Sequence, residues 1–162
     1  MRPPGQLVGG RGPHAVVSYD PHHLGERSVP QVHEVEKGAI RRFAEALGET
    51  DPVYFDENEA ARRGYSGLLA PPTFAATLRP RPVPGLTLPQ AGLIHGEQEY
   101  VYGKPICAGD TIIVTAWLED VRVRRGGRGA LTLVTVASEG VHPDGVMAFQ
   151  ARSVLIVTEG VR

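Results

Sequence analysis

The sequence predicts an α+β domain in which a helix packs on one face of a curved antiparallel sheet. Three observations predict it. Residues 36–80 carry helical periodicity and helix stops, residues 93–157 carry four long runs of β-branched and aromatic side chains, and turn residues separate those runs. Helices followed by consecutive strands, rather than alternating with them, favour this layering.

Residues 1–13 are rich in Gly and Pro and poor in large apolar side chains. Such a stretch does not repay the entropy of ordering, so residues 1–28 are expected to form a flexible arm and residues 29–162 the folded domain. Residues 14–28 are ambiguous: Val16 and Val17 can lie against the body, and the adjacent His22 and His23 point to different sides, which makes them a poor chelating pair. A short strand is expected at 31–35. From Glu36 the pattern turns helical, with Ile40, Phe43, Ala44 and Leu47 on one face and Lys37, Arg41, Arg42 and Glu45 opposite. Gly48 stops this helix. Asp56 with Glu59 predicts a capping box for a short helix over 57–63, and Gly64 its C-terminal stop. Pro71 and Pro72 open a third helix carrying Phe74, Ala75 and Leu78, which cannot continue past Pro80. Strands are expected over 93–102, 111–124, 130–138 and 146–157, joined by Gly126-Gly127 and by His142-Pro143-Asp144-Gly145. Ile40, Phe43, Leu47, Phe74 and Leu78 are the predicted core.

With 162 residues the chain is long enough for one domain with a real core. Its 17 Lys+Arg against 18 Asp+Glu give no surplus that favours a nucleic-acid or anionic-membrane partner. The basic run 122–128 reads as a solvated hairpin tip. A single cysteine, Cys107, excludes an internal disulfide and a thiolate metal cluster; with no His nearby it reads as a small half-buried residue. Neither a metal nor a cofactor is expected. The absence of an 18-residue apolar run and of a signal-peptide core predicts a soluble cytoplasmic protein.

The run Gly48-Glu49-Thr50-Asp51-Pro52-Val53-Tyr54-Phe55-Asp56, the turn 69–74 (LAPPTF) and the segment 94–100 (IHGEQEY) leading to Lys104-Pro105 and Ala108-Gly109-Asp110 occur in a fixed order. Together they resemble the MaoC-like dehydratases, hotdog proteins that remove water from (3R)-hydroxyacyl thioesters. The resemblance spans 31–157 and implies a single hotdog, an antiparallel sheet wrapped around a central helix. The family frame is Gly-Asp-x-Asn-Pro-x-His-x-Asp, whose first Asp and His form the catalytic pair. Here those positions hold Glu49 and Tyr54. A Tyr at the His position within Tyr54-Phe55-Asp56 is similar to the N-terminal, accessory-subunit subgroup, as in the mycobacterial (3R)-hydroxyacyl-carrier-protein dehydratases. That implies a heterodimer with a hotdog that retains Asp and His, the present chain contributing wall to the acyl tunnel.

Dehydration needs a base at C2, an acid at the leaving hydroxyl and donors for the enolate oxygen. A His near neutral pKa serves the first two. Glu49 suits a base only if burial raises its pKa, and Tyr54 is a donor rather than a base; otherwise Glu49 caps the helix or faces water and Tyr54 packs its ring. Strand alternation places His95, Glu97 and Glu99 on one face, either as a polar site or as interface hydrogen bonding. Pro72 and Thr73 are candidate contacts to a bound thioester, Thr73 alternatively capping the helix that follows Pro71 and Pro72. The leading expectation is a subunit of an acyl-CoA or acyl-carrier-protein dehydratase, paired with a catalytic partner or with itself. The alternatives are a stand-alone hydratase using Glu49 and Tyr54, an acyl-thioester binding module without catalysis, and a hotdog thioesterase.

Overall fold

The computed structural model describes residues 17–126 and 129–158. In chain order they form β1 (Ser18–Tyr19), β2 (Gln31–Glu34), α1 (Lys37–Leu47), α2 (Glu57–Arg62), β3 (Leu86–Thr87), β4 (Leu93–Tyr102), β5 (Thr111–Gly126), β6 (Gly129–Val141) and β7 (Met147–Thr158), with 3-10 turns at Pro21–His23, Pro52–Tyr54 and Pro72–Thr77. The five long strands pair antiparallel in the order β2-β5-β6-β7-β4.

Alternation along β5 builds the buried face: Ile112, Val114, Ala116 and Leu118 are all fully buried. A bulge between Leu118 and Asp120 then shifts the register, so that Val121 faces Val134 and the apolar face continues. Over this face packs α1, through Ile40 and Ala44 one turn apart, and Phe43 meets Phe74 edge to face at 5.5 Å. The main cluster joins Val35, Ile40, Leu68, Phe74, Ile112 and Phe149. The expected α+β hotdog is therefore present, with Ile40, Phe74 and Leu78 buried and Phe43 half-buried.

Leu47 corrects the predicted core, since it is 50% exposed. The last turn of α1 runs past the cluster, whose helical members are Ala39, Ile40 and Phe43. That turn closes on Gly48, at φ 73°, with the Gly48 and Glu49 amides donating to Glu45 and Ala44 carbonyls. Only half of the expected capping box forms. Asp56 accepts from the Asn58 and Glu59 amides, but the Glu59 carboxylate turns to Arg62 and Arg63 and the Asp56 amide donates to Pro52. The third helix is a 3-10 turn. Cys107 is buried rather than half-buried, and Arg122, Arg124 and Arg125 are exposed. Gly127 and Arg128 lie outside the described residues.

Of the expected flexible arm, residues 1–16 lie outside the described residues, and residues 17–28 lie against the sheet. Val17 is buried in a second cluster with Leu118, Val134 and Val157; β1 pairs with β3, and the Gly25 amide donates to the Leu118 carbonyl. The physical reason is a stretch of sheet that α1 does not reach, which the segments around β1 and β3 cover. Ser28 fastens this segment: it is buried, its amide donates to the Ala116 carbonyl at 2.7 Å, and its Oγ accepts from the Ala116 amide at 3.1 Å. Ser28→Ala leaves that buried amide without its partner. It is expected to cost about 1–3 kcal/mol in urea unfolding, whereas a surface serine costs almost nothing.

Candidate functional site

The loop after α1 is shaped by one carboxylate. Asp51 accepts from the Val53 amide at 3.0 Å, which starts the Pro52–Tyr54 turn, and from Arg63 at 2.9 Å. The amide bond and the Arg63 guanidinium, in that order, hold its carboxyl below the usual range. Arg63 also donates to Glu59 at 2.7 Å, tying the loop to α2. Behind it, the Leu69 amide donates to the Val53 carbonyl, Ala70 to Ile106 and Ala108 to Leu68. Gly67 permits that approach, because a Cβ there would sit 2.6 Å from the Ala108 carbonyl oxygen.

These ties enclose a cleft of about 300 Å³. Tyr54, Tyr65, Leu69 to Pro72, Tyr102 to Ile106 and Ala148 line it. Its lining is mostly apolar, with three phenols and Lys104 as the cation among the described lining residues. Burial, followed by the nearby Glu49 and Asp51 carboxylates and then Tyr65, pushes the Tyr54 phenol above its ordinary pKa. At neutral pH Tyr54 is thus a protonated donor. Tyr102 is pushed up by burial and stacks on Tyr100 at 5.6 Å.

The predicted site residues divide. Tyr54 and Pro72 line the cleft; Glu49, Thr73, His95 and Glu97 do not. Glu49 is exposed, and its backbone amide rather than its carboxylate closes α1. Thr73 is exposed and caps nothing: the 3-10 turn starts at Pro72, and Pro71 before it supplies no side-chain cap.

The shared face expected for His95, Glu97 and Glu99 is broken by a bulge. His95 pairs with Leu155 while Glu97 pairs with Val154, so Gly96 is the extra residue and the two side chains lie on opposite faces. A Cβ at Gly96 would sit 2.7 Å from the Ile156 Cδ1. His95 joins the face of Gln98, with Nε2 3.1 Å from the Gln98 Oε1, and Ser153 donates to the same oxygen at 2.6 Å.

Tyr65, Tyr102 and Lys104 are site residues that the sequence reasoning missed. For Tyr102 the signal was present: Tyr100 and Tyr102 share a face by simple alternation past the bulge. Tyr65 had none: it follows the stop at Gly64, and nothing local shows that the chain there turns into the cleft.

Among the described residues lining the cleft there is neither a His nor a carboxylate. The arrangement can hold an apolar chain and donate hydrogen bonds to an oxygen, but offers no group poised to exchange a proton near pH 7.

Residues 22–151 match the family model described as FAS1-like, dehydratase domain region. A UPF0336 protein of Saccharopolyspora erythraea is 31% identical over 144 residues, covering 85% of this chain and 90% of its own. A UPF0336 protein of Streptomyces avermitilis is 36% identical over 108 residues, covering 62% of this chain and 72% of its own. Among solved structures, the ChsH1-ChsH2 complex of Mycobacterium tuberculosis is similar with TM-score 0.68 at 18% identity, covering 85% of this chain and 87% of that one. The C-terminally truncated HadBC (3R-hydroxyacyl-ACP dehydratase) complex of the same organism gives 0.63 at 22% identity, covering 90% and 98%. The R-hydratase PhaJ1 of Pseudomonas aeruginosa gives 0.62 at 17%, covering 85% and 83%. The shared feature is the hotdog fold.

Proposed function

Because this chain belongs to the FAS1-like dehydratase-region family, whose fold is that of the MaoC-like hotdog dehydratases and hydratases, we propose that it is the acyl-binding subunit of a (3R)-hydroxyacyl-thioester dehydratase. In this reading it contributes tunnel wall beside a catalytic MaoC-like partner that carries the Asp and His. One observation carries the proposal: the family's His position is Tyr54, a protonated phenol in a cleft whose described lining offers no base. The substrate is an acyl-CoA or acyl-carrier-protein thioester, its apolar part against Leu69, Pro71 and Ile106 and its carbonyl within reach of a phenol. Tyr54 then positions or polarises the thioester, and proton transfer belongs to the partner. No helix among the described residues is long and apolar enough to cross a membrane, and we place the activity in the cytoplasm.

A second reading has one observation in its favour. The charge of Glu49 is felt at Tyr54, so the two family positions are neighbours even though only Tyr54 faces the cleft. In that reading the chain is a stand-alone hydratase.

Co-expression tests the proposal. A MaoC-like chain of the same organism with an intact Asp and His frame is expected to co-purify with this one. The pair is expected to hydrate crotonyl thioesters, followed by loss of the enoyl absorbance. Failure to co-purify, with full activity in either chain alone, would contradict it.

A further inference from the structure

The β4 strand ends the sheet: it pairs with β7 on one side, and among the described residues nothing pairs with the other. Along its ten residues, the backbone donors and acceptors that are not used on β7 face outward, a template for another strand. Exposed apolar side chains gather on the same strand, with Ile94 53%, Val101 52% and Tyr102 49% exposed. An exposed edge of this length and composition is suited to pairing with another strand.

Charge decides what covers it. Past the bulge at Gly96, Glu97, Glu99 and Val101 share the outer face, and both glutamates are exposed. The neighbouring strand supplies one cation, Arg152, opposite Glu99, but its guanidinium already donates to Glu119. Among the described residues three carboxylates therefore share one guanidinium, and Glu97 and Glu99 keep uncompensated charge at the edge.

A second copy would meet this edge about a two-fold axis, pairing residues of the same face. An axis at Gln98 sets Glu97 directly opposite Glu99 of the second copy, twice. An axis at Glu97 or at Glu99 sets that residue opposite itself. An axis at Tyr100 leaves Glu99 diagonal to its own copy. Directly opposed side chains lie ~5 Å apart and diagonal ones ~7–8 Å, and like charges so placed oppose pairing.

We infer that the β4 edge selects its partner by charge, disfavouring a second copy of this chain and accepting a hotdog edge strand that presents lysine or arginine opposite Glu97 and Glu99. This rests on the reading of the chain as one half of a hotdog pair, and it adds the edge by which the halves join and the chemistry of the other half.

The test uses the full chain, the neutral variant Glu97→Gln/Glu99→Gln and the reversed variant Glu97→Lys/Glu99→Lys, with self-association followed by sedimentation velocity over a dilution series. Both positions are exposed, so the substitutions displace no core contact. The neutral variant is expected to self-associate about tenfold more tightly than the native chain at low salt, from two symmetry-related like-charge contacts removed. An equimolar mixture of native and reversed chains is expected to form a mixed dimer tighter than either self-dimer, with an advantage that shrinks as salt rises. A native dimer as tight as the neutral variant's, with no preference in the mixture, would overturn the charge selection while leaving edge pairing intact. Monomers in every preparation, the mixture included, would overturn the β4 edge as a pairing surface, while co-purification with the catalytic partner tests the pairing itself.

Discussion

In a reconstituted pair, replacing the motif His of the MaoC-like partner is expected to lower turnover of crotonyl thioesters ~10²–10⁴-fold, the usual loss when a well-matched general base is removed. Tyr54→Phe in the present chain is expected to lower kcat/KM by about tenfold or less, because a hydroxyl that positions or packs contributes about 1 kcal/mol. The asymmetry follows from the cleft: Tyr54 stays protonated beside Glu49 and Asp51 and cannot serve as a base near neutral pH. Steady-state kinetics on the two variants, each paired with its native counterpart, measures it. Equal losses from both would place proton transfer on both chains.

Phe149→Ala is expected to destabilise the fold by about 3–5 kcal/mol, as large-to-small changes of buried aromatics do. Phe149 is 2% exposed, meets Tyr100 edge to face at 6.3 Å and fills the space above Gly140. The glycine is the other half of that contact. A Cβ at position 140 would lie 2.2 Å from Phe149 Cε1, so Gly140→Ala is expected to cost about 1–3 kcal/mol by overpacking. The double variant is expected to lose less than the sum, because alanine at 149 vacates the space that the new methyl needs. Urea unfolding of all three checks this. Strict additivity would mean that the ring and the glycine do not share that space.

The strands were legible because β-branched runs and turn residues are local signals: β4 runs from Leu93 to Tyr102 as its side chains indicate, and the other three expected strands extend by a few residues at most. The helical face was legible through Ile40 and Phe43, but not where α1 outruns the core at Leu47. Bulges were not legible. The extra residue at Gly96 comes from how β4 meets β7, and that shift moved Glu97 away from His95. The anchoring of residues 17–28 was hidden for the same reason, since Val17 looks like any valine until a bare patch of sheet is there to receive it. Of the site, the frame Gly48 to Asp56 led to Tyr54 and the turn 69–74 led to Pro72. Tyr102 and Lys104 are brought there by ties between distant segments, Ala70 to Ile106 and Lys104 to Met147. Local frames predict local geometry, whereas a cleft between segments depends on the register of strands far apart in sequence.

The central claim is that this chain binds acyl thioester without carrying its own acid–base pair. Its most direct test is the rate at which the isolated chain, monodisperse and folded, hydrates crotonyl thioester beside Glu49→Gln and Tyr54→Phe. A native rate near background, unchanged in both variants, is expected. Robust turnover by the isolated chain, lost in both variants, would contradict it and assign the catalytic pair to Glu49 and Tyr54.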